Sequence, residues 1–350
     1  MKKITMIGLR IVGILGGTVL LIGVGGYLYL RVKAPHFITI ARNIEEDTVT
    51  ISLEELDRAV FVQGMNACEN LYVDKETMRV YVTDLGGSLH LLDGESREQL
   101  KIVKSLKMGQ FGLGIDKGPD GSLYVGFSQY DTQGWIEQGG AIYRVDPELH
   151  QPVKLTTDYP TMNGLACDSA GRCYFASSNF DFFHPKGNVY MMQIAPNGSY
   201  SEPEIFLQDI GLANGLHYNT QENRMYLSDT LETVSSFIPG EQRLEVIYRK
   251  TKYMESTDDI CTDHQGNLWM SDPFESTLKQ YNPKTKQLVR YDIEGIGQTS
   301  ACGIREEDGE EVLYITEIKT KRAPMSDVYD GRGLLIVPVN SLTTIRSAKE

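Results

Sequence analysis

The chain has 350 residues, of which 41% are hydrophobic, and its 47 acidic and 34 basic side chains give a formal net charge of −13. This length accommodates one large domain or two average ones, with ample apolar side chains for a packed core. The acidic balance, without a basic stripe, argues against a nucleic-acid partner. It favours a soluble domain that mildly repels anionic membrane surfaces.

The first 33 residues differ from the rest and predict a membrane anchor. The run from Ile11 to Leu30 is uncharged and long enough to cross a bilayer as a helix. A cleaved signal peptide is the alternative, but no Ala-x-Ala-like site follows Leu30. We therefore expect an uncleaved signal anchor over residues 1–33 and a separate domain over residues 34–350.

The charges on the two sides of this run are nearly balanced, so charge alone does not orient the anchor. A very short N-terminal tail before a large domain favours a single-pass arrangement. We expect the domain on the non-cytoplasmic side of the membrane, in the periplasm or outside the cell.

A motif of two short strands around a tight turn occurs six times, at intervals typical of propeller blades. Its clearest copy is Asp258–Asp272, with the turn at residues 264–267. The second position of the later strand is aromatic in every copy, where it can pack one blade against the next: Tyr81, Tyr124, Tyr174, Tyr226, Trp269 and Tyr314. The pattern predicts an all-β fold, a six-bladed β-propeller.

Residues 34–66 precede the first repeat and contain two strand-like stretches, at 48–53 and 61–62. Propellers are often closed by combining strands from both ends of the chain in one blade. We expect this segment to pair with residues 333–339.

The first position of each repeat is predicted to line the central channel, because the innermost strand of each blade does so. The residues there are Glu69, Leu113, Asn163, Asn214, Asp258 and Gly303. Four of them offer side-chain oxygens and together carry two negative charges, which a divalent cation would balance. Calcium prefers oxygen ligands of this kind. The absence of Cys and His from this ring argues against zinc or copper.

Four acids follow Ser or Thr at the end of the second strand: Asp84, Asp229, Asp272 and Glu317. They form either a second polar ring near the channel mouth or hydrogen bonds to the following turn, and we favour the turn. The five cysteines are mainly interpreted as small buried side chains. Cys167 and Cys173 flank one tight turn, where they can face each other across a hairpin.

At Glu69, Asn163, Asn214 and the pair Asp258–Asp259, the chain resembles the superfamily of calcium-dependent six-bladed propellers. This group includes gluconolactonases of the senescence-marker type, paraoxonases and strictosidine synthase-like proteins. The resemblance covers residues 60–340 and includes the phrase at 213–216. It implies a calcium site at the end of the channel, with these five residues as the metal ligands. Asn163 binds the ion directly or through water.

The chain departs from the paraoxonase pattern at two proposed catalytic histidines. Leu113 stands at the position of one, and the second falls close to Gln129, so that dyad is absent. A second, structural calcium is not expected, because Gly164 stands where paraoxonases have an acid. Gluconolactonase-like relatives need no such dyad.

The resemblance implies a membrane-anchored, calcium-dependent hydrolase of lactones or esters. In this hypothesis calcium polarises the carbonyl, and Asp258 or Asp259 is the catalytic base that activates water. Asn163 and Asn179 are predicted to bind substrate, and the aromatic segment 180–184 is either a pocket wall or a surface insertion. The alternative is a non-catalytic propeller that calcium stabilises as a binding module. A condensing enzyme is less favoured, because no residue specifies its amine and aldehyde pocket.

Overall fold

The structure is a computed structural model that describes residues 26–109, 111–130, 137–156, 159, 161–179, 181, 183–320 and 330–349. Six separate β-sheets, five of four strands and one of five, form the blades of a propeller. Their inner strands surround a central channel. The predicted six-bladed all-β fold is confirmed.

In each of the first four blades the strands follow one another in sequence and pair antiparallel. Blade 1 comprises β3 (Cys68–Val73), β4 (Val80–Asp84), β5 (Ser88–Asp93) and β6 (Lys101–Lys107). Blade 2 comprises β7 (Phe111–Lys117), β8 (Leu123–Tyr130), β9 (Glu137–Val145) and β10 (Val153–Lys154). Blade 3 comprises β11 (Thr161–Cys167), β12 (Arg172–Ser178), β13 (Gly187–Gln193) and β14 (Glu204–Leu207). Blade 4 comprises β15 (Ala213–Asn219), β16 (Arg224–Asp229), β17 (Thr233–Phe237) and β18 (Glu245–Arg249).

The last two blades each include a strand from the N-terminal segment. Blade 5 comprises β19 (Ile260–Thr262), β20 (Leu268–Asp272), β21 (Thr277–Asn282) and β22 (Gln287–Glu294), with β1 (Glu45–Ser52) as a fifth, parallel strand beside β22. Blade 6 comprises β23 (Gln298–Glu307), β24 (Glu310–Lys319), β25 (Gly333–Pro338) and β2 (Val60–Gln63).

Blade 6 closes the ring, because β2 pairs antiparallel with β25 in a register that joins Gln63 to Gly333. The predicted closure between the N-terminal segment and residues 333–339 is confirmed for the stretch at 61–62. The stretch at 48–53 was expected to take part in the same closure, but residues 48–52 lie in β1 and pair with blade 5 instead.

The remaining regular elements are short. In the part of the chain that the structure describes, three 3-10 helices span Pro35–Phe37, Leu53–Glu55 and Arg97–Gln99, and helix α1 spans Val339–Lys349 at the C-terminal end. Leu342 of α1 is fully buried in the apolar cluster between blades 5 and 6. The helix therefore covers the edge of the core where the ring closes.

The repeated aromatic side chains lie between the blades, as predicted. Tyr81 of blade 1 belongs to one apolar cluster with Ile115 of blade 2, and Tyr314 of blade 6 belongs to another with Leu71 of blade 1. All six aromatics are at most 4% exposed. Burying a large aromatic side chain contributes about 1.5–3 kcal/mol, so this register stabilises each boundary between blades.

The predicted anchor at 11–30 lies largely outside the described residues. The first eight described residues, 26–33, are helical. No helix in the described part of the chain is both long and apolar enough to span a membrane.

Candidate functional site

Irregular backbone in the inner strands positions the site. In blades 1 and 4 the pairing of the first two strands shifts register between Cys68 and Asn70 and between Ala213 and Leu216. The shifts lie at the predicted ring positions, where Glu69 and Asn214 leave the regular ladder. Bulges of this kind re-aim side chains and are frequent near functional sites. Blades 2, 3 and 6 carry the same irregularity.

The sixth member of the ring is Ser300, and the prediction of Gly303 for this place was wrong. Gly303 pairs with Tyr314 in the same way that Tyr72, three residues after Glu69, pairs with Tyr81. The equivalent of Glu69 in blade 6 is therefore Ser300. The ring consists of one residue from each blade: Glu69, Leu113, Asn163, Asn214, Asp258 and Ser300.

Ser300 joins two carboxylates that come from blades on its two sides. Its Oγ atom lies 2.8 Å from Oε2 of Glu69 and 2.9 Å from Oδ2 of Asp258. All three side chains are buried. A hydroxyl group has one hydrogen to donate, so it can satisfy only one of these two acceptors at a time.

Burial is the main cause that raises the pKa values of both carboxylates. Burial, followed by the charge of Asp258, raises the pKa of Glu69 well above its ordinary value. Burial raises the pKa of Asp258 to about 6, although hydrogen bonds from Ser300 and Asn214 oppose the shift. In the described part of the chain, neither carboxylate forms an ion pair with Lys, Arg or His. The site therefore concentrates negative charge that no basic side chain offsets.

One of the two asparagines of the ring, Asn214, presents its amide group to Asp258. The Asn214 amide nitrogen donates to Thr230 Oγ1 at 2.9 Å and to Asp258. Its oxygen, the atom that a hard cation prefers, is left for another partner. Asn163 is only 3% exposed. Its side chain makes no hydrogen bond to any other residue in the described part of the chain.

Asp259 lies beside the ring rather than within the Glu69–Ser300–Asp258 arrangement. It lines the channel together with Cys261 and Cys302. Burial raises its pKa well above the ordinary value, although backbone N–H groups of Ile260 and Cys302 donate to it and oppose the shift. The two adjacent aspartates thus occupy different environments.

Hydroxyl side chains of the second strands fix the ring backbone from the neighbouring blade. Thr83 Oγ1 and Ser228 Oγ each donate to the carbonyl oxygen of a ring residue in the next blade, Leu113 and Asp258, at 2.7 Å. Ser271 bonds to the carbonyl of Ser300 in the same way. The ring therefore keeps its geometry through backbone contacts that do not depend on its side chains.

A buried ion-pair cluster holds the segment before Asp258. Lys279 is fully buried and lies 3.0 Å from Glu255 Oε1, 3.3 Å from Asp272 Oδ2 and 3.0 Å from Thr257 Oγ1. Arg290 binds the other carboxylate oxygen of Glu255 at 2.7 Å. Burial alone would raise the pKa of Glu255, but the positive charges of Lys279 and Arg290 hold this pKa well below its usual range. The cluster fixes the three residues that lead into the ring.

Three of the four acids that end the second strands bond to the following turn, as we favoured from the sequence, whereas Glu317 bonds to more distant loops. Asp84 Oδ1 accepts the Ser88 N–H at 2.7 Å, and Glu317 Oε1 accepts the Gly297 N–H at 2.8 Å. Asp229 and Asp272 likewise accept backbone N–H groups of nearby loops. These acids organise loops and turns.

Asn179 is exposed, and its side chain is bonded within its own loop. Its Nδ2 donates to the His184 carbonyl at 3.1 Å, and its Oδ1 accepts the Lys186 N–H at 2.9 Å. A substrate-binding role for Asn179 stays a prediction. Phe180 and Phe182 of the same segment lie outside the described residues, and Phe183 is half exposed against Phe37.

The channel holds a cavity of about 240 Å³ that contacts the inner strands of all six blades. Asp116 and His217 line it together with Asp259. Burial raises the pKa of Asp116 to about 6 and lowers that of His217 to about 3. His217 lies 2.9 Å from Thr262 Oγ1 and is neutral at physiological pH.

The chemistry of the ring fits a calcium ion. Buried charges in proteins are normally paired or bind a metal, and Glu69 and Asp258 have no basic partner in the described part of the chain. Carboxylate, amide and hydroxyl oxygens form a hard donor set. No group of three or more His, Cys, Asp or Glu side chains among the described residues has a metal-site arrangement. The ring instead combines Glu69 and Asp258 with the oxygens of two amides and one hydroxyl.

The fold is a six-bladed propeller, and its polar ring can be compared with those of known propeller proteins. Residues 157–319 match the family model described as the SMP-30/Gluconolactonase/LRE-like region. The chain thus contains a region of this family, which confirms the resemblance to gluconolactonases over that part. A comparison with curated protein sequences found no match.

Several solved structures share the fold at low sequence identity. A gluconolactonase from Xanthomonas campestris is 18% identical, with 80% of this chain and 89% of that chain covered and a TM-score of 0.57. A calcium-binding protein, regucalcin, from Agrobacterium tumefaciens is 14% identical, with 83% and 96% covered and a TM-score of 0.60. A PQQ-bound aldose sugar dehydrogenase from Streptomyces coelicolor is also 14% identical, with 81% and 97% covered and a TM-score of 0.58. One fold therefore carries different chemistries, and the site must decide the function.

Proposed function

We propose that this protein is a membrane-anchored, calcium-dependent hydrolase of lactones or esters. The observation that carries the proposal is the Glu69–Ser300–Asp258 arrangement, with the Asn214 amide bonded to Asp258 and no basic partner in the described part of the chain. The family match over residues 157–319 supports the lactonase chemistry.

Glu69, Asn163, Asn214 and Asp258 would hold the cation, with the Ser300 hydroxyl between the two carboxylates. When bound, calcium supplies a Lewis acid that polarises a substrate carbonyl. Asp258 and Asp259 have different roles in this proposal. Asp258 is hydrogen-bonded to Ser300 and Asn214 and would bind the cation, whereas Asp259 lines the channel and is the base. Asp259 is proposed to accept a proton from the attacking water. Asn163 orients the substrate.

The test uses the full chain, purified in detergent, and a panel of lactones and aryl esters. Hydrolysis should disappear with a chelator, return with calcium and be lost in Asp259→Asn. The matched control is Asp308→Asn, at an exposed turn with φ 52°, a conformation that Asn adopts readily. If no substrate is hydrolysed while calcium still raises Tm, the protein is instead a non-catalytic propeller that calcium stabilises.

We further propose that residues 11–30 anchor the protein with the propeller outside the cytoplasm. The disulfide between Cys167 and Cys173 supports this location, because such bonds persist in oxidising compartments. A C-terminal alkaline phosphatase fusion should be active and remain in the membrane fraction. Activity only of a reporter that matures in the cytoplasm would contradict the proposed orientation.

A further inference from the structure

Two free cysteines face each other across the boundary between blades 5 and 6. Cys261 lies in β19 and Cys302 lies in β23, the inner strands of these blades. Their Sγ atoms are 3.2 Å apart, with the Cys261 thiol donating to the Cys302 sulfur. The Cys302 thiol points to the carbonyl oxygen of Trp269 at 3.3 Å. The two thiols are therefore already held together by the packing of the inner strands.

This geometry requires little movement to form a covalent bond. A disulfide has a sulfur–sulfur distance of about 2.05 Å, so the sulfur atoms need to approach by only about 1 Å. Both cysteines line the channel cavity of about 240 Å³. The third free cysteine, Cys68, is fully buried in blade 1 and does not line this cavity.

We propose that Cys261 and Cys302 are the site of a second disulfide, which links blades 5 and 6 covalently at the wall of the channel. The oxidant is a small or protein disulfide such as glutathione disulfide. The sulfur of one cysteine attacks it and releases one thiol, and the second cysteine then displaces the other thiol from the mixed disulfide. The two cysteines lose two hydrogens and two electrons, and the oxidant is reduced to two thiols.

The bond would join the two strands that bring Asp258 and Ser300 together. Ser300 precedes Cys302 by two residues, and Asp258 precedes Cys261 by three. The hydrogen bond between Ser300 and Asp258 spans the same boundary as the two sulfur atoms. The link therefore fixes the separation of these two ring residues whether or not a ligand is bound. It spans 41 residues of sequence, so it also restricts the unfolded chain.

The test counts thiols in the full chain after it is folded in detergent with a glutathione redox buffer, then denatured without reductant. With Cys167 and Cys173 paired, the proposal expects one free thiol, that of Cys68, whereas an unlinked pair would leave three. Non-reducing peptide mass spectrometry should show the peptides of Cys261 and Cys302 joined and two hydrogens lighter. Three thiols under oxidising conditions, or a link that includes Cys68, would overturn the proposal. Folding in the presence of the oxidant ensures that burial of the thiols does not block the reaction.

Variants separate this bond from the hairpin disulfide. In a Cys167→Ser, Cys173→Ser background, oxidation should raise Tm by about 5 °C through the remaining bond. Adding Cys302→Ser should abolish this rise, whereas adding Cys68→Ser should leave it unchanged. An equal rise with and without Cys302 would contradict the proposed link. The readout does not depend on hydrolase activity, so its failure is distinct from a failure of the proposed function.

Discussion

Glu69 and Asp258 belong to blades that are not neighbours, yet the single hydroxyl group of Ser300 is hydrogen-bonded to both of their carboxylates. Because that hydroxyl donates one hydrogen, one carboxyl group must hold a proton of its own or meet another positive charge. A divalent cation in the ring would resolve this conflict without any proton. We therefore expect the stability of the propeller to depend on whether a divalent cation is bound.

Asp258→Asn should remove the calcium dependence of thermal stability. The amide keeps the shape of the side chain but removes one of the two adjacent negative charges. The ring therefore attracts a divalent cation more weakly, and the electrostatic repulsion between Glu69 and residue 258 is smaller. We expect calcium to raise Tm in the unsubstituted protein and to change it little in the variant. Thermal unfolding with calcium and with chelator measures the difference, and Asp308→Asn is the matched control. Calcium responses of equal size in the variant and the unsubstituted protein would contradict a metal site at Asp258.

Ser300→Ala should destabilise the calcium-free protein. The substitution leaves two buried carboxylates without the hydroxyl that they share, and a lost hydrogen bond to a buried acceptor costs about 1–3 kcal/mol. Chemical unfolding in the presence of chelator measures this cost. Ser347→Ala, at an exposed position of α1, is the control and should change stability by less than about 0.5 kcal/mol. Equal stability of Ser300→Ala and the unsubstituted protein would show that the hydroxyl does not support the ring.

Lys279→Met should be among the most destabilising single substitutions in blade 5. It keeps much of the side-chain volume but leaves Glu255 and Asp272 buried without this partner. Breaking a buried ion pair from one side costs about 3–5 kcal/mol. The control is Lys284→Met in the exposed turn between β21 and β22. The midpoints of urea unfolding compare the two variants, and similar midpoints would mean that the cluster does not hold the segment before Asp258.

Asp116 should make the free energy of unfolding depend on pH, with a contribution that decreases as the pH rises. Burial raises its pKa from 3.8 to about 6, so between these values the folded protein binds more protons than the unfolded chain. The contribution of Asp116 to the free energy of unfolding is present in acid and is lost as the pH rises through about 6. The loss amounts to about 3 kcal/mol at most.

Chemical unfolding of the native chain and Asp116→Asn at several pH values between 4 and 7 measures this effect. The difference between the two should change over that range, while the contribution of His217, whose pKa is about 3 when folded, is common to both proteins and cancels. A constant difference would mean that Asp116 titrates normally in the folded chain.

Regular spacing in the sequence was sufficient to predict the six blades and most of the ring. Glu69, Asn163, Asn214 and Asp258 each precede the aromatic of their own repeat by 11 or 12 residues. The structure joins Glu69 to Asp258 through Ser300 and bonds Asn214 to Asp258. In blade 6 the hairpin is longer, since β23 and β24 have 10 residues each. Ser300 therefore lies 14 residues before Tyr314, and spacing alone selected Gly303 instead.

A second pattern in the sequence marks Ser300. The residue after the ring position is glycine in blades 2, 3 and 4, because a β-carbon on Gly164, for example, would collide with the carbonyl oxygen of Asn214 in the next blade. Ala301 is the corresponding small residue in blade 6. The ion-pair cluster around Lys279 has no comparable signal. Its partners Glu255 and Arg290 are far apart in sequence, and only the packed blade brings them together.

The closure of the ring through β2 and β25 also determines when the site can exist during synthesis. Gln63 can pair with Gly333 only after residue 333 has been synthesised. Blade 6 therefore forms after the strands of the other five blades have left the ribosome. Blades 1 and 5, which carry Glu69 and Asp258, can fold earlier, but Ser300 joins them only when the circle is complete. The two mutually repelling carboxylates thus meet in the final step of assembly, the step at which a cation can enter the ring together with the last strand.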